Sequence, residues 1–162
     1  QWLLRVQANP ALGLLAGLGM TLTVQSSSAT IAMLQTVAAQ PGPDGVHGLL
    51  SLAGAIPVLL GDNIGTTITA VLASIGQGKD AKRVAAAHAI FNLSGAAVCC
   101  GLLGPFAALV QALSPAGPEC AVIARQIANA HTLFNVCCAL VWLPLTGRMV
   151  RLVTRLLPDR AA

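Results

Sequence analysis

The amino-acid sequence predicts an all-α membrane protein, and three observations carry that prediction. Of 162 residues, 56% are hydrophobic and only 9% are charged, where a soluble domain has about a quarter of its residues charged. Mean hydropathy is +0.77. The charges are also segregated: residues 6–43, 84–118 and 126–147 hold no Asp, Glu, Lys or Arg, and residues 45–78 hold one, Asp62. A spanning helix needs about 20 mainly apolar residues, so each stretch is long enough to cross a bilayer. The apolar content excludes disorder, and five Cys in so apolar a chain exclude a disulfide scaffold. No basic region leads into a short apolar core at the start, so a cleaved signal peptide is not expected. The chain has no initiator Met and enters an apolar segment almost at once, as a part of something longer would.

Taken in order, residues 1–147 read as one transmembrane repeat unit and residues 148–162 as a basic amphipathic tail. Residues 9–39 form a re-entrant hairpin or a broken helix, interrupted by the polar run Gln25-Ser26-Ser27-Ser28-Ala29-Thr30. As a hairpin its limbs, 9–24 and 29–39, would reach about 24 and 16 Å at 1.5 Å per residue, either bringing the tip near mid-membrane. Residues 49–76 form a second broken helix, interrupted at Gly61-Asp62-Asn63-Ile64-Gly65-Thr66-Thr67. Residues 84–106 and 126–145 read as two further transmembrane helices. The separators are Pro41-Gly42-Pro43-Asp44-Gly45, the basic loop Lys79-Asp80-Ala81-Lys82-Arg83, and Ser114-Pro115-Ala116-Gly117-Pro118-Glu119. Arg148, Arg151 and Arg155 recur at helical intervals among Val and Leu, which places the tail on the membrane surface. If the three later segments each cross once, the 79–83 loop and the tail share a side, and the excess of Lys and Arg there makes it cytoplasmic.

The two interruptions carry the chemistry. Ser, Thr, Asn and Gln at membrane depth are costly unless they pair or line a wet cavity. Gly13, Gly17, Thr21 and Gln25 lie at i+4 spacing, a stripe that either packs a neighbouring helix closely or leads to the polar run. Three consecutive serines point all around a helix, so the backbone must unwind there. In the second interruption, Gly61 and Gly65 weaken the helix around Asp62 and Asn63. Paired broken helices point to a transporter's midplane site. Asp62 alone also fits a carboxylate snorkelling at a helix end. Hydroxyls, amides and freed carbonyls suit sodium, and serine hydroxyls with N–H groups at half-helix N-termini suit an oxyanion. Neither interruption contains Lys or Arg. A bound anion therefore needs co-bound cations, which implies cation-coupled anion transport.

Gln25-Ser26-Ser27-Ser28-Ala29-Thr30, preceded by Asn9-Pro10 and the glycine stripe, resembles the signature of the sodium–phosphate cotransporters, the type II family and its bacterial relatives. Asn63-Ile64-Gly65-Thr66-Thr67 and the strings Ala87-His88-Ala89-Ile90-Phe91-Asn92 and Ala130-His131-Thr132-Leu133-Phe134-Asn135 extend the resemblance over residues 9 to 147. It implies a fold of two inverted repeats, each with a Gln-Ser-Ser-Ser motif, binding phosphate and sodium where they meet. This chain has one such motif, so it would supply one repeat and need the missing repeat or a second copy. By the same resemblance Gln25, Ser26, Ser27, Ser28 and Thr30, with Asn63, Thr66 and Thr67, bind substrate and sodium. Asp62 departs from the family, which more often has a small residue there; it either holds a further cation or repels phosphate. The implied function is sodium-coupled phosphate symport in the plasma membrane (a bacterial inner membrane, given Arg over Lys), with no cofactor, no metal beyond transported sodium and no nucleic acid.

Two other functions fit less of the sequence. A non-transporting half would assemble with another membrane protein. An intramembrane serine hydrolase would need His88 or His131 as base to one of Ser26 to Ser28. The His88/Asn92 and His131/Asn135 pairs, each at i+4, read mainly as bracing contacts, with no further ligands spaced for a metal.

Overall fold

The computed structural model describes residues 2–42 and 47–159. Residues 43–45 of the predicted Pro/Gly turn, with residue 46, and residues 160–162 of the predicted tail lie outside the described residues. Among the described residues the chain forms eight helices: α1 (Trp2–Ala8), α2 (Pro10–Val24), α3 (Ser27–Ala38), α4 (Leu52–Ala73), α5 (Lys79–Gly101), α6 (Leu103–Ala112), α7 (Glu119–Trp142) and α8 (Thr146–Leu156). The protein is an all-α membrane protein, with α4 and α5 each long and apolar enough to cross a bilayer. Its outer surface is apolar: Leu143, Val84, Ile75 and Leu140 are all more than 60% exposed, which a hydrocarbon surround tolerates and water does not.

Local signals set the helix ends. The Asn9 side chain accepts from the N–H groups of Ala11 (3.0 Å) and Leu12 (3.4 Å), and Pro10, which has no N–H to satisfy, opens α2. Gln25 ends it in the left-handed region, at φ 56° and ψ 26°. Ser26 then caps α3, its Oγ accepting from Ala29 N at 3.3 Å. The α2–α3 break thus falls at Gln25-Ser26.

α2 and α4 run side by side in the same direction. Gly13 meets Pro57, Thr21 meets Gly65 and Gln25 meets Thr69, each pair 44 residues apart. α3 returns along the pair, since Ala38 O lies beside Gly48 and Leu49 N donates to Gln40 O, just before α4 begins. α2 and α3 are therefore a helical hairpin. Its tip is level with Thr69, about one turn from the end of α4, rather than at the middle of that helix.

The predicted break within 49–76 is absent: α4 is one continuous helix of 22 residues. Gly61 and Gly65 face α2, where the Leu14 carbonyl and the Thr21 side chain, respectively, fill the space a side chain would take. The polar side chains need no unwound partners because Asn63 Nδ2 donates to Leu59 O (3.0 Å), Thr66 Oγ1 to Asn63 O (2.7 Å) and Thr67 Oγ1 to Ile64 O (2.7 Å). Conversely, the span predicted over 84–106 is divided. α5 stops at Gly101 and α6 starts at Leu103, because Pro105 lacks an N–H and its ring collides with the carbonyl four residues back, that of Gly101.

α4 is the central helix, touched by α1, α2, α3, α5, α6 and α7. Leu59, Leu60, Ile123, Ile127 and Val110 fill the core around it. α7 and α8 meet at 84° across Pro144. In α8, Met149 and Val153 turn inward while Arg148, Arg151 and Arg155 are exposed. The two basic segments meet: Arg83 donates to Leu157 O (2.8 and 3.1 Å), Asp80 and Asp159 (both 3.0 Å), and Lys79 to Pro158 O. Arg83→Ala removes the bonds that Arg83 makes and is expected to leave the overall melting temperature nearly unchanged, because the carboxylate partners are exposed. It should nevertheless raise amide exchange at residues 155–159; unchanged exchange would mean that Arg83 does not hold the tail.

Candidate functional site

The close approach of α2 and α4 builds the site. A Cβ at Gly17 would strike Val58 O, and one at Gly61 would strike Leu14 O. Only residues without side chains let the two backbones touch, and this contact brings polar groups of three helices together at two levels.

The upper level is the hairpin tip. Gln25 Oε1 accepts from Thr69 Oγ1 at 3.1 Å, and its Nε2 donates to Leu22 O at 2.7 Å. Ser26 and Ser28 are exposed and Ser27 is half-buried. Ser26 Oγ serves the cap, whereas the side chains of Ser27 and Ser28 make no hydrogen bond among the described residues. The free N–H groups of the first turn of α3, and the positive end of its dipole, lie at the same tip. With no Lys or Arg on α2, α3 or α4, the tip offers an anion dipoles and hydroxyls but no side-chain charge.

The lower level is buried. Thr21 on α2, Thr30 on α3 and Asp62 on α4 are each no more than 1% exposed. Thr21 Oγ1 donates to Asp62 Oδ1 at 2.5 Å and lies 3.0 Å from Gly17 O and 3.5 Å from Thr30 Oγ1. Thr30 Oγ1 donates to Ser26 O at 3.1 Å. Asp62 Oδ2 is buried without a hydrogen-bond partner among the described residues. Asp62 therefore does not snorkel at a helix end: it sits near the middle of α4, beneath α2 and α3.

The predicted residues thus divide. Gln25 and Ser26 to Ser28 form the tip, and Thr30 joins Asp62 below. Asn63 and Thr67 are buried and Thr66 half-buried, each bonded to its own helix. Thr21 and Thr69 belong to the two clusters as well; their signal is the match between the i+4 stripe 13–17–21–25 and the stripe 57–61–65–69. Asn92 Nδ2 donates to His88 O (3.1 Å) and Asn135 Nδ2 to His131 O (2.8 Å), so both pairs are bonded within their helices. Among the described residues neither histidine hydrogen-bonds Ser26, Ser27 or Ser28. Among the described residues no group of three His, Cys, Asp or Glu side chains is placed to hold a metal.

Residues 1–128 match the family model described as Na+/Pi-cotransporter. "Uncharacterized protein YqeW" of Bacillus subtilis (strain 168) is 39% identical over 102 residues, 63% of this chain and 31% of that protein. "Sodium-dependent phosphate transport protein 2C" of Homo sapiens is 44% identical over 88 residues, covering 52% of this chain and 14% of that protein. "Sodium-dependent phosphate transport protein 2B" of Bos taurus is 42% identical over 89 residues, with 52% and 12% covered. The chain thus spans less than a third of the length of the curated relatives it matches. No solved structure matches.

Proposed function

Because the chain belongs to the Na+/Pi-cotransporter family, we propose that it supplies one repeat of a sodium-coupled phosphate symporter, completed by a second repeat or a second copy of itself. The observation that carries this reading is the hairpin tip: Ser27 and Ser28, with unbonded hydroxyls, stand at the N-terminus of a 12-residue helix beside the Gln25–Thr69 pair. Such a terminus is suited to an oxyanion. The absence of cationic side chains on α2, α3 and α4 leaves the anion's charge to be offset by bound sodium, so binding of the two is coupled.

In this reading the apolar helices sit in the cell membrane. The junction of the 79–83 segment with the C-terminal tail faces the cytoplasm, and the α2–α3 hairpin is re-entrant. α8 lies along the membrane surface with its arginines toward lipid headgroups.

The test is equilibrium binding of radiolabelled phosphate to the purified chain in nanodiscs, with sodium or with choline. Saturable binding in sodium and none in choline is the expected result. Equal binding in both salts would remove the coupling, and none in either would show that the chain alone, or paired with itself, forms no site.

A further inference from the structure

We propose that Thr21, Thr30 and Asp62 form a buried site for one sodium ion, beneath the serine tip and sharing only the Ser26 carbonyl with it. The ligands are oxygens of three helices. Asp62 Oδ1 and Oδ2 come from α4. Thr21 Oγ1 and Gly17 O come from α2, 3.0 Å apart. Thr30 Oγ1, from α3, and Ser26 O lie 3.1 Å apart. Hydroxyl, carbonyl and carboxylate oxygens are the hard donors that a hard cation takes in preference to nitrogen or sulfur.

The balance of hydrogen bonds calls for a cation here. Each threonine hydroxyl has one proton. That of Thr30 goes to Ser26 O and that of Thr21 to Asp62 Oδ1, leaving Oδ2 with nothing although the residue is 0% exposed. An uncompensated carboxylate at such a place is strongly unfavourable. No Lys or Arg forms an ion pair with Asp62 among the described residues. α2 and α3 carry no titratable side chain, and of the titratable groups on α1, α5 and α7 it is His131 of α7 that interacts electrostatically with Asp62. One monovalent cation on Oδ2 neutralises the site and satisfies the lone pairs of both threonines. Asp62 is the eleventh residue of a 22-residue helix, about 15 Å from either end, so this ion would cross most of the half-membrane without its water.

This inference deepens the symport reading by assigning one coupling ion, but its test omits phosphate and so fails separately. The full chain in nanodiscs is melted in sodium chloride and in choline chloride at matched ionic strength. The expected result is a saturating rise of the melting temperature with sodium over choline. That difference should vanish in Asp62→Ser and in Asp62→Asn, the second being kept in case the first does not fold. Thr21→Val keeps the shape and the carboxylate, and should weaken the sodium midpoint about tenfold, the size of one lost oxygen contact to a charge. A wild-type chain that melts alike in both salts overturns the site. So does one stabilised by acid and indifferent to sodium, or an Asp62→Asn variant that keeps the full sodium response.

Discussion

A single methyl group at Gly17 or Gly61 is expected to break the α2–α4 contact and with it most of the fold's stability. The Cβ of an alanine at either position would overlap a backbone carbonyl, Val58 O in one case and Leu14 O in the other. Overpacking against side chains costs about 1–3 kcal/mol because rotamers can shift. Here the obstacle is backbone inside a hydrogen-bonded helix, so the helices themselves must separate. We expect about 3 kcal/mol or more for either substitution, read as a drop in the thermal or denaturant midpoint in detergent. Gly19→Ala on the same helix is the control: nothing lies within 4 Å of its added Cβ, and alanine's higher helix propensity should leave stability equal or better by under about 1 kcal/mol. A Gly17→Ala protein that melts like wild type would show that α2 and α4 do not touch as described. The cost extends to chemistry, because the same contact carries Thr21 to Asp62 and Gln25 to Thr69.

The glycines also show what the sequence made legible. The stripe from Gly13 to Gln25 was readable as a close-packing face, and the serine run as a place where a helix must stop, because three successive hydroxyls cannot share one face. Gly61 and Gly65 were misread as a second break. Glycine lowers helix propensity in any isolated segment, but here the forgone side chains are replaced by α2, its backbone at Gly61 and the Thr21 side chain at Gly65, a gain visible only once the partner is known. The partner was nevertheless encoded, since the stripes 13–17–21–25 and 57–61–65–69 match residue for residue. The end of α5 was missed for a different reason. The apolar run continues unbroken through Gly101 and Leu102, and only Pro105, acting four residues back on Gly101, marks the stop. Asp62 stood out as a charge, but its threonine partners come from 41 residues away on α2 and, through Thr21, from α3. No local pattern predicts that meeting.

Substitutions at the hairpin tip should separate binding from folding, and the structure ranks which ones can. Ser27→Ala and Ser28→Ala remove hydroxyls with no hydrogen bond among the described residues. Their stabilities are expected to stay within about 1 kcal/mol of wild type, while sodium-dependent phosphate binding falls at least about tenfold each, the size of one hydrogen bond to a charged group. Ser26→Ala also removes the α3 cap, whose loss costs about 1 kcal/mol, and Asn63→Ala removes a buried bond to Leu59 O. Binding lost in those two is therefore shared between chemistry and fold. Gln25 separates the two causes again. Its φ of 56° lies where glycine is at ease and a β-branched residue is penalised by about 1–2 kcal/mol. Gln25→Gly should keep the turn while losing the amide and the bond to Thr69, so the chain folds but binds phosphate weakly. Gln25→Val should lose stability as well. Should Gln25→Gly, Ser27→Ala and Ser28→Ala all bind phosphate as wild type does, the tip is not the anion site. Should the glycine variant instead melt below the valine variant, the left-handed turn at Gln25 is not what shapes the hairpin.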